Sequence, residues 1–406
     1  VFKFLGIIFC GALLFLAGCA TPPTEPVPRE WSVSNSVPPN YPPRVAGPTN
    51  GTESGVNQPP GLAVPFRNVV PSLHSNSQAT YPGRPSPALV TTWTSLDGWA
   101  AAHHLGKPQR LADSPMATYA IGSSNGEMVF AIGSRDATWN GREIHLGFDP
   151  EMVDGEIFMH ELDLEKNLEP LLCERPLMFS SDHVIVLDPG HGGSDKGTIS
   201  VLDQRPEKEF TLDLAKRLKP LLEQEGWQVF LTRTNDYDLS HSNRVMFAES
   251  HHADLFISLH FNSAAPDKKQ AGLETYCLTP RGMPSTLTRG FADPVEENSP
   301  NNNFDAQNLQ FAVRLHDALL RRNGETDRGV RRARFITVLR GQERPAILIE
   351  GGYLSNPLEA AKIENPYFRQ ILAEALAAAL ARNPVFQVRN VEMTTAQAHT
   401  NAAVAK

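Results

Sequence analysis

In the second half of the chain, apolar positions recur with two distinct periods, and the switching between them predicts a regular succession of elements. HVIVLD, residues 183–188, is a short unbroken apolar run, as expected for a strand buried on both faces. In EKEFTLDLAKRLKPLLEQEG, residues 207–226, apolar residues return at helical spacing, with Pro206 at the entry and Gly226 at the exit. The strand WQVFLTR, a helix over 239–252 and the buried strand DLFISLHFN follow. After GLETYCL the pattern predicts a helix over 308–324, strands at RFITVLR and PAILIEGG, and a last Ala-rich helix from Pro366 to Ala381. Strands alternating with helices over 182–384 predict an α/β fold, a twisted, largely parallel sheet with helices on both faces. Pro220 lies inside the first helix and should kink or split it.

Upstream, residues 89–178 carry shorter signals. SLDGWAAAHHLG predicts a helix capped by Ser95, and ATYAIG, EMVFAIG and REIHLGF predict brief strands, with Trp139-Asn140-Gly141 as a hairpin turn signal. These predict a small α/β or mainly β accessory domain, and their order is similar to copper amine oxidase N-terminal-like domains. His103 and His104 are adjacent on the expected helix and point about 100° apart, so surface histidines are expected there rather than a shared metal site.

Residues 20–88 show no apolar period. Sixteen of the 33 prolines fall there, several as doublets, which predicts a disordered linker, extended and semi-stiff. Residues 385–406 are expected to be a disordered tail. The first nineteen residues read as targeting sequence: Lys3, then the apolar run FLGIIFCGALLFLA, then Leu16-Ala17-Gly18-Cys19. That ending resembles the lipobox of bacterial lipoproteins, which implies lipidation at Cys19 and a membrane anchor. Ala20 after it resembles the outer-membrane sorting pattern, if the host is Gram-negative. Only Cys173 and Cys277 then remain, too few for a disulfide framework, although an oxidising periplasm permits one bridge. The net charge of −8 offers no basic footprint, so nucleic acid is not expected as a partner.

Three of the apolar strand runs end in a residue able to bind a metal or carry a proton: His191 after VIVLDPG, His260 in LFISLH and Glu350 in AILIE. In open α/β sheets, binding crevices lie beyond the carboxyl ends of the strands, so one fold can gather these three side chains. A catalytic zinc commonly takes three protein ligands, and Glu207 and Glu209 compete for the remaining place. Glu207 shares a helical stripe with Phe210 and Leu214, whereas Glu209 points the other way. A carboxylate on the apolar stripe needs a partner, and a metal ion supplies one. Each residue alone has an ordinary structural explanation: a capping histidine, a core histidine, a salt-bridged glutamate. A His2Glu set with a further glutamate at the mouth of one sheet is harder to explain that way.

DPGHGGSDKG, PEKEFTL, SLHFNS and PAILIEGGYLSNP, in this order between Val184 and Ala381, resemble the zinc-dependent N-acetylmuramoyl-L-alanine amidases of the bacterial cell wall. The resemblance implies one Zn2+ held by His191, Glu207 and His260, with Glu350 as the catalytic residue. It also implies hydrolysis of the amide between N-acetylmuramic acid and L-alanine in peptidoglycan, in the cell envelope; an activator protein is a candidate partner. Asn262 and Arg340 are candidate substrate-binding residues, and Asp188 is a candidate acceptor orienting a histidine. Residues 279–305, rich in Pro, Gly and Asn and without an apolar period, are expected to form a mobile loop rather than a blocking helix. The alternatives are a zinc peptidase acting on stem peptides and a peptidoglycan-binding lipoprotein without catalysis.

Overall fold

The chain was analysed as a computed structural model that describes residues 92–113, 116–173 and 183–381. The expected signal with Cys19, the linker and the tail lie outside the described residues. Fourteen strands and eight α-helical segments occur among the described residues. In the N-terminal part these are β1 (Trp93–Ser95), α1 (Leu96–Ala102), β2 (Gln109–Ala112), β3 (Thr118–Ser123), β4 (Gly126–Ala131), β5 (Asp136–Trp139), β6 (Arg142–His145), β7 (Glu151–Val153) and β8 (Glu156–His160). A helical segment then begins as α2 (Glu161–Asp163) and widens into π turns over Leu164–Cys173. Next come β9 (Val184–Pro189), α3 (Glu207–Gln224), β10 (Gln228–Leu231), α4 (His241–Ser250), β11 (Leu255–Asn262) and β12 (Leu273–Cys277). The chain closes with α5 (Asp305–Asn323), β13 (Asp327–Arg332), α6 (Thr337–Arg340), β14 (Ala346–Tyr353), α7 (Pro357–Glu364) and α8 (Pro366–Ala379).

The main sheet runs β10-β9-β11-β14-β12-β13-β6-β5-β4-β3-β2. From β10 to β13 the pairings are parallel except β12 against β14, so the expected α/β fold with a largely parallel sheet is observed. Alternation along β9 fixes its two faces. Ile185 and Leu187 join a core with Phe210 and Leu214 of α3, Leu315 of α5 and Leu376 of α8, while Val184 and Val186 face Ala248 of α4 and Leu339 of α6. Helices therefore cover both faces.

The same sheet continues across the expected boundary between accessory and catalytic parts. Strand β6 pairs parallel with β13 through Val330 and Ile144, and β2 to β6 follow as an antiparallel meander. Gly329 at φ 85 makes the approach possible: a Cβ there would lie 3.0 Å from the Glu143 carbonyl oxygen. Asn140 and Gly141 both take positive φ between β5 and β6, the hairpin geometry their sequence signals. One apolar cluster contains Leu96, Phe130 and Leu168 together with Leu309 and Leu319, so both parts share a core.

Locally the structure differs from expectation in several places. RFITVLR is not a strand; β13 is the preceding DRGVRR, and Thr337–Arg340 turns as a short helix that places Val338 and Leu339 under the sheet. Helix α3 runs unbroken through Pro220, which is exposed, so water can serve the carbonyl that loses its helical partner there. The helical segment 161–173 has no counterpart in the predicted elements, although Leu164, Leu168, Leu171 and Leu172 recur at helical spacing and are buried; Pro170 interrupts the pattern. Residues 279–305 form a loop with a 3-10 turn (Pro300–Phe304), and tertiary contacts not evident from its composition fasten it: Arg334 donates to the carbonyls of Pro280 and Met283 and pairs with Asp293. Cys173 and Cys277 are not joined by a disulfide.

Candidate metal centre and active site

Adjacent strands β9, β11 and β14 deliver the site. In register, Leu259 sits beside Pro189 and His260 beside Glu350, so the chain beyond β9 and the end of β11 meet next to the glutamate. The Pro189–His191 turn is held by two buried arginines. Arg233 donates to the Pro189 and Gly190 carbonyls at 2.9 and 2.8 Å, and Arg244 to those of Pro189 and His191 at 2.9 and 2.8 Å. His191 takes a left-handed φ of 63°, a conformation costly for a non-glycine residue and maintained by this clamp.

Three side chains converge. Glu207 Oε2 is 3.1 Å from His191 Nε2, and Glu207 Oε1 is 2.9 Å from His260 Nδ1. The carboxylate also accepts the backbone N–H groups of Thr198 and Phe261, each at 3.0 Å. Glu207 opens α3, where the helix dipole favours an anion, and it is buried, whereas Glu209 is exposed beside Arg205. One candidate ligand atom from each of His191, Glu207 and His260 lies within 4.8 Å of the other two, and this is the one such metal-capable group among the described residues. His103 and His104 belong to no such group.

The electrostatics suit a cation. Burial opposes a charge on His191, but Glu207 and Asp195 outweigh it and push the imidazole up to about 10. Burial also opposes a charge on Glu207, and the two histidines overcome it, holding the carboxyl well below its ordinary range. Glu350 behaves in the opposite way: burial, reinforced by Glu207, pushes it up to about 8, with Arg289 opposing. Its Oε2 is buried without a hydrogen-bond partner among the described residues. The geometry fits a metal on two further counts. A Cβ at Gly190 would lie 2.2 Å from the His260 ring, and one at Gly197 2.6 Å from both Glu207 Oε2 and the His191 ring. Only glycine leaves the cradle open.

The remaining candidates are placed differently from expectation. Asp188 does not orient a histidine: its oxygens accept from Thr232, Arg244 and Ser258, so it acts on His191 only through the Arg244 clamp. The carboxylate on His191 Nδ1 is Asp195, at 2.9 Å, four residues on in the HGGSD run. Arg340 pairs with Glu297, and the arginine beside Glu350 is Arg289 instead. Asn262 is buried and donates to Glu274 Oε2 at 2.9 Å. Glu274 is the cross-strand neighbour of Glu350, and it also accepts from Tyr276, Tyr353 and Arg328. Neither Arg289 nor Glu274 carried a motif that could have singled it out.

Much of the chain is similar to known proteins. The family described as N-acetylmuramoyl-L-alanine amidase matches residues 185–382. An Escherichia coli protein named N-acetylmuramoyl-L-alanine amidase AmiC is 31% identical over 54% of this chain and 57% of its own length. A probable cell wall amidase, LytH, of Staphylococcus epidermidis is 34% identical over 60% of this chain and 70% of its own. The solved catalytic domain of CwlV, an amidase from Bacillus (Paenibacillus) polymyxa, is 30% identical, with a TM-score of 0.40 over 49% of this chain and 96% of that one. The chain thus spans little more than half the length of the first relative and more than two thirds of the second. By the family match and the 34% identity to LytH over 70% of that protein's length, the chain belongs to the N-acetylmuramoyl-L-alanine amidase family.

Proposed function

We propose that this chain hydrolyses the amide bond between N-acetylmuramic acid and L-alanine in peptidoglycan, using one zinc ion held by His191, Glu207 and His260. The observation that carries this reading is the convergence of two imidazoles and a carboxylate beside a buried glutamate with an unpartnered oxygen. When bound, zinc supplies Lewis acidity, lowering the pKa of water toward about 7 and polarising a carbonyl oxygen. Asp195 holds His191 by Nδ1, so Nε2 faces the metal position. Glu350 accepts the proton of the attacking water on Oε2 as the new C–O bond forms. It then returns that proton to the alanine nitrogen as the C–N bond breaks.

Asn262 enters this reading as part of the site wall. Arg340, paired with Glu297, stays a candidate for holding polar groups of the substrate. Residues 89–178 are read as an accessory part, 182–384 as the catalytic part, and 20–88 as a tether from a lipid anchor at Cys19. The lipobox-like run supports that placement, periplasmic and at the outer membrane if the host is Gram-negative, and an activator protein is a candidate partner. No helix among the described residues is long and apolar enough to cross a membrane.

Mass spectrometry of digested sacculi tests the reaction. Free stem peptides beginning with L-alanine are expected, abolished by chelation and by Glu350→Gln. Release of terminal amino acids instead would establish a peptidase, and binding without any product a non-catalytic protein.

A further inference from the structure

The segment between β12 and α5 is fastened from two sides. From within the catalytic part, Arg334 holds the carbonyls of Pro280 and Met283, Ser285 bonds Asp293, and Thr286 pairs with the backbone of Arg332. From the N-terminal part, Arg135 donates to the Pro284 carbonyl at 3.4 Å and to that of Leu146 at 2.9 Å. Gly147 lies so close to Met283 that a Cβ there would come within 2.5 Å of its Cγ. Arg332 in turn donates to the Lys166 carbonyl and Asn167 Oδ1, both at 2.8 Å, locking β13 to the π turns.

This braced segment carries one side chain into the site. Arg289, with a left-handed φ of 50°, has a side chain only 5% exposed and lies over the rings of Tyr276 and Phe335. Its Nη2 is 3.2 Å from the Tyr276 hydroxyl, 3.4 Å from Asn262 Oδ1 and 3.9 Å from Glu274 Oε2. These three residues form the wall beside Glu350. Two further buried carboxylates, Glu207 and Glu274, act on Glu350; the histidines offset the first and Arg328 the second, and Arg289 is the arginine that acts on Glu350 itself.

We propose that Arg289 is a positioning residue for Glu350, fixing the Glu274, Asn262 and Tyr276 wall and offsetting the negative charge there, with the N-terminal part bracing it from outside. The inference rests on Glu350 as the proton carrier. It gives the 118–173 region a part in the chemistry, beyond any contact with the wall polymer.

The test compares full-length, zinc-loaded wild type with Glu350→Gln, Arg289→Gln, Arg289→Lys and Arg135→Ala on a soluble muramoyl-peptide. Arg289→Gln should lower kcat by about 10- to 100-fold at unchanged zinc content, with KM shifted less than about threefold, and Arg289→Lys should recover part of the loss. Arg135→Ala should speed hydrogen exchange over residues 278–299 and lower kcat less severely. Wild-type kcat in Arg289→Gln, or a loss confined to KM, overturns the assignment. Should Arg289→Gln fail to fold, Arg135→Ala still decides: faster exchange with wild-type kcat overturns the brace. An active Glu350→Gln overturns the underlying mechanism as well, whereas an inactive one beside an unimpaired Arg289→Gln overturns this inference alone.

Discussion

At the scale of residues, the centre depends on small permissions as much as on its ligands. Glu207 can face both histidines because Gly197 has no side chain, and His260 can enter because Gly190 has none. Asp195 settles which nitrogen of His191 faces inward. Removing such an outer carboxylate commonly costs about 10- to 100-fold in metal affinity. Asp195→Ala should therefore weaken zinc binding by about that factor in calorimetric titration. An unchanged affinity would show that the ring is oriented by the Arg244 clamp alone. Helical phase alone was enough to prefer Glu207 to Glu209, because facing on a helix is a local property. The roles given to Asp188 and Arg340 were not local. Both are hydrogen-bonded groups near the motifs, and their partners, Arg244 and Glu297, arrive from other segments.

At the scale of elements, the strand ends become a site because the turn after β9 is rigidly tied. Arg244 reaches from α4 to Asp188 Oδ1 at 2.6 Å while its other nitrogen holds the His191 carbonyl. Both groups of this pair are buried, and removing one partner strands the other charge, at a cost of about 3–5 kcal/mol. Arg244→Met should lose stability of about that size in urea unfolding, and zinc affinity with it. A loss below about 1 kcal/mol would mean that Thr232 and Ser258 satisfy Asp188 unaided. The segment 279–305 teaches the complementary lesson. Its composition is that of a loop, and it is one, but composition carries no information on Arg334 or Arg135, which fasten it from elsewhere in the chain.

At the scale of the whole molecule, the sheet from β10 to β2 crosses the expected domain boundary and shares one apolar cluster, in a single compact unit. Calorimetry of the full chain should therefore show the accessory and catalytic parts melting in one cooperative transition, shifted upward by zinc. Two separated transitions would show that the β6 and β13 pairing and the Arg332 contacts are weak links. The sequence by itself determined most of the catalytic elements, the α/β class, the candidate ligands and the family. Each of these is written in local periodicity or in a short run where a strand meets its turn. Tertiary structure alone decided that two parts share one sheet, that Asp195 rather than Asp188 serves His191, and that Arg289 stands beside Glu350. The physical reason is that a buried charge takes its partner from whatever segment packing brings within reach, and no spacing along the chain records that choice.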